Sequence, residues 1–229
     1  LSKGSISFEE GLITLEKENP GSIIQQHLGN FSLTSITVEA GEVPTSSLFH
    51  SNGGITHIKD SSISVGETQE IFSLFTLRGG ADSAFKNSQV RLEGGDNSRI
   101  VKGSNCTLSL DTSHFIINNS KDRSTALEIG NGRVDIQKSS ITIKGKSEIT
   151  IPLHITGTSL SMADTQCESY GDGGVIPIMV KNSFIELKDT NFSGKGGRDF
   201  IYLFMADGVK GSLEGCTFTS NSTVESKGF

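Results

Sequence analysis

Apolar residues recur along the chain on two scales. Within short segments they alternate with polar ones, as in Leu108-Ser109-Leu110 and Val134-Asp135-Ile136, the period of a half-buried strand. At longer range the segments themselves repeat. An apolar anchor is followed five positions later by a second apolar residue, and the pair returns nine times: Phe8/Ile13, Phe31/Ile36, Ile58/Ile63, Phe85/Val90, Leu110/Phe115, Ile136/Ile141, Met162/Cys167, Leu187/Phe192 and Leu213/Phe218. Two positions further on stand Leu15, Val38, Val65, Leu92, Ile117 and Ile143, replaced in the last repeats by Ser169, Gly194 and Ser220. That replacement predicts final coils that are narrower or turn earlier.

A further apolar cluster closes each repeat, for example Leu127 to Ile129, and Gly or Asn follows it, as in Gly79-Gly80 and Gly130-Asn131-Gly132. No segment has a helical period. One such repeat cannot bury its apolar row alone, whereas stacked repeats bury it in a continuous column and pair their strand backbones. The pattern therefore predicts an all-β chain, a single-stranded right-handed parallel β-helix of about nine coils of roughly 25 residues with three short strands per coil, forming one domain over residues 1–229. Handedness follows from the general preference for right-handed crossovers. At ~4.8 Å per coil the rod is roughly 40 Å long.

Composition narrows the function classes. The net charge is −6, and the Lys and Arg residues are scattered among acids, which argues against a nucleic-acid partner. The longest apolar run, residues 200–206, is far short of the ~20 residues that span a bilayer, so no membrane insertion by this domain is expected. The chain begins Leu1-Ser2-Lys3-Gly4 without Met, and the repeat is already under way at Ile6 and still under way at Phe218. The expectation is a fragment of a longer surface or secreted protein, with adjoining coils of the parent chain as neighbours.

With the coils in register, chemistry shared between neighbours should appear as a column. The most regular polar column reads Thr34, Ser61, Ser88, Ser113, Ser139, Thr165 and Thr190, and beside it stand Asp60, Asn87, Asp164 and Asp189. Asx and hydroxyl side chains of this kind hold tight corners by bonding the backbone; the functional alternative is an ice-binding or glycan-binding face. Among the acids beside the anchors, Asp111 and Asp135 come closest, and only diagonally. The five histidines (His27, His50, His57, His114, His154) occupy different offsets, with His114 expected in a turn and His154 facing solvent from a strand. Cys106, Cys167 and Cys216 form no CxxC pair and read as packing residues. The sequence accordingly predicts no catalytic residue, no cofactor-binding residue and no metal ligand.

Length varies most between the second and third strands, at residues 16–21, 40–46, 66–70, 118–125, 170–174 and 195–199. Repeat proteins place specificity in such segments. The run Tyr170-Gly171-Asp172-Gly173-Gly174 reads as a flexible loop in preference to an anion or calcium site.

The repeat resembles the β-helix of bacterial autotransporter passengers and of the polymorphic outer-membrane protein family. The family's FxxN motif is matched by Phe115-Ile116-Ile117-Asn118 and Phe218-Thr219-Ser220-Asn221, and its GGA motif by Gly79-Gly80-Ala81. The resemblance implies secretion, a translocating C-terminal barrel elsewhere in the parent chain, an extracellular or outer-membrane-associated location, and adhesion to a host cell-surface protein or glycan. The expected function is thus a non-enzymatic surface module, an adhesin or rigid spacer. The alternative is a carbohydrate-active β-helix enzyme or polysaccharide-binding module. Two tyrosines and no tryptophan make a poor sugar-stacking inventory for it.

Overall fold

Nine strands stack in parallel along one side of the molecule: the leading halves of Ser5–Leu15 and Asn30–Ala40, then Ile55–Lys59, Asp82–Lys86, Thr107–Asp111, Arg133–Gln137, Ser159–Ala163, Phe184–Lys188 and Lys210–Glu214. The computed structural model that gives this arrangement describes residues 4–15, 24–41, 46–67 and 71–222. These residues form 25 strands and no helix. Nine rungs enclose eight full turns, so the chain is a parallel β-helix of about eight turns. The repeat count of nine in the sequence counts rungs, and among the described residues the last rung is followed only by its second-face strand, Thr217–Ser222.

The register corrects the second coil. Phe31 stacks between Ile6 and Thr56, and the residue between Phe8 and Ile58 is Leu33. Its companion five positions on is Val38, stacked between Ile13 and Ile63, and the next inward residue is Ala40. Phe31 and Leu33 both face inward from one strand, and both have an apolar residue five positions later. A pattern of period two is blind to a slip of two, and the backbone pairing resolves it. By the same shift Ile36, not Thr34, joins the hydroxyl column, while Ser32 and Thr34 take the outward positions beside the anchor.

The second face carries the columns that run from Ile13 to Phe218, and the third is built from segments such as Phe49–Asn52, Ile71–Arg78, Leu153–Thr156 and Ile178–Lys181. Three separate strands per coil is not the rule throughout. Asn30–Ala40 covers the first two faces without a break, and Gln89–Ser104 and His114–Gly130 run through the second and third.

The interior is apolar and aromatic in its leading half. Phe31, Phe49, Phe75, Phe85 and Phe115 form a chain of ring contacts with centroids 6.1, 4.6, 5.0 and 5.1 Å apart; each such pair adds about 0.5–1.5 kcal/mol beyond area burial. Later coils keep one aromatic group, with Phe192 stacked on Phe218 at 5.0 Å and Phe204 edge-on to Phe218 at 5.9 Å, but place Ser169 and Gly194 where earlier coils have Leu or Ile. The strands Gln166–Gly171, Asn191–Gly196 and Thr217–Ser222 keep their length, so they do not turn earlier, as the sequence allowed. The interior is narrower there instead. Ser169 Oγ donates to Thr150 Oγ1 at 2.6 Å, and a methyl group on Gly194 would meet Ile201 at 3.0 Å and Val175 at 3.1 Å. Phe8 and Leu213 are 41% and 50% exposed, against 1% for Leu110 between them, because among the described residues their rungs have a neighbour on one side only.

Candidate functional site

Polar side chains of several coils come together at more than one place on the rod. The first is the corner between the first and second faces. Its leading residue is left-handed in every coil from Glu10 to Asp189: φ is 55° at Ser35, 50° at Asp60, 48° at Asn87, 50° at Thr112 and 48° at Lys138. One such residue reverses the sense of the chain in a single step. It leaves the following hydroxyl buried beneath the corner. Ser61, Ser88, Ser113 and Ser139 each donate to the carbonyl two residues back, at 2.7, 2.8, 2.9 and 2.7 Å. Each also accepts the backbone N–H at the same place in the preceding coil, from Ile36, Ser61, Ser88 and Ser113, at 3.1, 3.2, 3.3 and 3.1 Å. The corner is therefore locked from coil to coil, as its composition predicts.

Outside this ladder runs a shallow groove of about 350 Å³ that crosses four coils. Ser35, Asp60, Asn87 and Thr112 line one side; Thr37, Ser62, Gln89 and His114 line the other. Asn87 Nδ2 donates to Asp60 Oδ1 at 2.7 Å, and His114 Nδ1 lies 2.7 Å from Ser140 Oγ. His114 is the first residue of a strand, a correction to its reading as a turn residue; the turn ends one residue earlier, at the buried Ser113.

The second place is a charged cluster on the third face, where Lys102, Glu128 and His154 stack on consecutive coils. Arg99 Nε donates to the Glu128 carboxylate. Arg123 Nη2 lies 3.1 Å from His154 Nδ1. His154 thus faces an arginine and is half-buried, where the sequence placed it in open solvent. Burial, then the Arg123 charge, hold its pKa below the ordinary 6.5 against the opposing pull of Glu128. A neutral imidazole accepts the arginine N–H. Burial opposes the charge on Glu128, yet the hydrogen bond and charge of Arg99 outweigh it and keep the carboxyl below its usual range. Arg99 Nη1 is buried with no hydrogen-bond partner among the described residues. The Glu128 carboxylate is held by Arg99, and the cluster links three coils as an electrostatic clamp.

The remaining candidates do not converge. Asp111 lies 4.0 Å from Lys86 Nζ and accepts from Thr112 Oγ1 at 3.0 Å, while Asp135 accepts from Arg133 Nε at 2.7 Å. Each acid is drawn to a different partner in a different column. Cys167 stacks between Ile141 and Phe192, and burial pushes its thiol well above the ordinary range. Burial lifts that of Cys106 to about 11. Cys216 ends the hydroxyl column, its Sγ 3.4 Å from the Leu187 and Glu214 carbonyls. His27 and His50 lie near enough for His27, after burial and Arg78, to help lower the pKa of His50.

Of the variable segments, 16–21, 42–45 and 68–70 lie outside the described residues. In the segment 170–174, Tyr170 is flanked by Lys144 and Lys195, whose Nζ atoms lie 5.7 and 4.9 Å from the ring centroid. Its hydroxyl donates to Glu168 at 3.0 Å and accepts from Lys195 at 3.2 Å. Asp172 pairs with Arg198 of the next coil at 3.1 Å. This segment is tied to its neighbours in a ladder, which corrects its reading as a flexible loop. Among the described residues no group of three or more His, Cys, Asp or Glu side chains is arranged to hold a metal ion.

Reasoning from sequence missed the Arg99, Arg123, Glu128 and His154 cluster. The signal was available in the spacing, since Lys102, Glu128 and His154 recur at 26 residues, but these residues lie outside the columns beside the anchors.

No family model matches the chain, and neither a curated protein nor a solved structure is significantly similar to it.

Proposed function

We propose that this chain is a non-enzymatic module of a secreted or cell-surface protein, acting as an adhesin or as a rigid spacer that projects a binding region. The observation that carries the reading is the continuity of the stack. One apolar interior runs from Phe31 to Phe192 without a break, and the polar groups outside it form arrays along the rod instead of converging on one reacting atom. Catalysis needs convergence, with donors and a base within hydrogen-bond reach of the same atom; arrays suit extended contact. Interlocked corners also give the stiffness that a spacer needs. The likeness of Phe115–Asn118, Phe218–Asn221 and Gly79–Ala81 to the motifs of the polymorphic outer-membrane protein family supports a bacterial surface location.

The test is a parallel binding and turnover screen of the purified rod against host matrix proteins and against neutral and acidic polysaccharides, with calcium and with chelator. Binding without products is the expected result for an adhesin, and binding to nothing is the result for a spacer. Release of reducing ends or unsaturated sugars would overturn the proposal.

A further inference from the structure

We infer that the groove along the first corner is a binding site for an extended, neutral, hydroxyl-rich polysaccharide chain, aligned with the rod axis. The inference rests on the reading of the chain as a binding module and names the class of ligand that such a module would take.

Three observations carry it. The first is the contrast between the two layers of the corner. The inner hydroxyls of Ser61, Ser88, Ser113 and Ser139 are each engaged with backbone groups on two coils. In the outer layer, the side chains of Thr37, Ser62 and Gln89 make no hydrogen bond to any other described residue, although they stack on successive coils. They are donors and acceptors fixed on a rigid sheet and left for an outside partner. The second is charge. The one carboxylate in the groove, Asp60, is already held by Asn87 Nδ2 at 2.7 Å and lies 3.6 Å from Lys59 Nζ. The Asp60 and Lys59 charges offset one another, so a polyanion or a basic peptide would find no net counter-charge there. An apolar helix or lipid would find no apolar side chain open to it, since Ile36 beneath the groove is 3% exposed. The third is spacing. The outer side chains repeat at the coil rise of ~4.8 Å, and an extended β-1,4-linked chain of pyranose sugars advances by a similar distance per sugar while turning over at each step. Equivalent sugar hydroxyls can therefore meet the groove at every second coil, twice over its four coils.

With no aromatic platform in the groove, affinity accumulates from many modest hydrogen bonds, so it must grow with chain length. The experiment is calorimetric titration of the purified chain with cello-, xylo- and manno-oligosaccharides of two to six residues, and alongside them with a polyuronate and a matrix protein, repeated with Ser62→Ile, which fills the groove from an outward strand position without offering a stacking surface, and with Arg91→Ala in the neighbouring outward column. Circular dichroism checks that both variants keep the fold. The expected result is affinity that rises from the disaccharide and levels off near the tetrasaccharide, is insensitive to salt, falls about tenfold or more in Ser62→Ile, and is unchanged in Arg91→Ala. No heat with any neutral oligomer at about 1 mM, no dependence on length, or affinity indifferent to Ser62→Ile would each overturn the inference. Binding only to a polyuronate or a matrix protein in the same titrations would sink this inference and leave the module reading standing. Turnover of any sugar would sink both.

Discussion

The corner between the first and second faces and the arm between the second and third are solved again in every coil, by opposite means. At the corner the path from anchor to companion is five residues each time, from Phe8 to Ile13 as from Leu187 to Phe192. A left-handed residue and a buried hydroxyl recur there. In the arm the path changes length: Val38 to Ser51 is 51 − 38 = 13 residues, and Ile141 to Ile155 is 155 − 141 = 14. Its polar groups find a different answer in each coil: Ser124 Oγ lies 2.6 Å from Ser147 Oγ, and Ser169 turns to Thr150. A step that is hydrogen-bonded to its copies above and below has no freedom to vary. A step whose pairing slips, as between Ser120 and Arg123, does.

The largest expected effect follows from that contrast. One residue inserted between Thr112 and Ser113 reverses the facing of the strand that follows and exposes Phe115 and Ile117, both fully buried; loss of more than about 3 kcal/mol is expected. One residue inserted after Asp122, in the arm, falls where the pairing with the preceding coil already slips between Ser120 and Arg123, and should cost about 1 kcal/mol or less. Chemical denaturation of the two variants compares them, and equal losses would erase the distinction between corner and arm. Next in size is Ser113→Ala. It removes the donor to the Asp111 carbonyl and the acceptor for the Ser88 N–H, at an expected cost of about 1–3 kcal/mol. Ser159→Ala, at an exposed strand start, is the near-neutral control.

A smaller effect belongs to the clamp on the third face. The pKa of His154 is lowered in the folded chain below 6.5, so the unfolded chain takes up a proton first as pH falls. Stability contributed by the neutral imidazole is full above about pH 6.5 and declines below it until the folded value is passed. His50, lowered chiefly by burial, declines in the same window. Melting temperature should therefore fall between pH 7 and 5, and His154→Gln should flatten that slope; an unaltered slope would remove His154 from the account. The smallest effect is at the corner residue Lys138, with φ of 48°. Lys138→Gly relieves a left-handed strain of about 1 kcal/mol, offset in part by the freer unfolded chain. A gain of a few tenths of a kcal/mol in denaturant titration is expected, against a loss for Lys138→Val.

Much of this corner was legible in the sequence because each of its constraints selects a residue type. Burial selects Ile58 and Leu110, and backbone bonding selects Ser61 and Ser113. What was not legible is the register of the second coil, where Phe31 and Leu33 satisfy the same alternation. The clamp was also hidden. Arg99 and Glu128 lie 29 residues apart, and only the path of the arm between them decides that they meet. The Tyr170 ladder was missed for a related reason: Gly-rich composition suggests looseness, whereas Lys144, Tyr170 and Lys195 share one column of the second face.

The phenylalanine rings fall into a long run from Phe8 to Phe115 and a short group of Phe192, Phe204 and Phe218, and that asymmetry sets how the rod comes apart. In a solenoid each coil touches only its neighbours, so melting behaves as a one-dimensional zipper that opens from its ends. The long run resists, and the short group, beside the half-exposed Leu213, yields first. Amide exchange should therefore be graded along the axis, fastest beyond Phe192 and slowest around Phe85, and force applied to the two ends should peel coils from the C-terminal side while the phenylalanine column still holds.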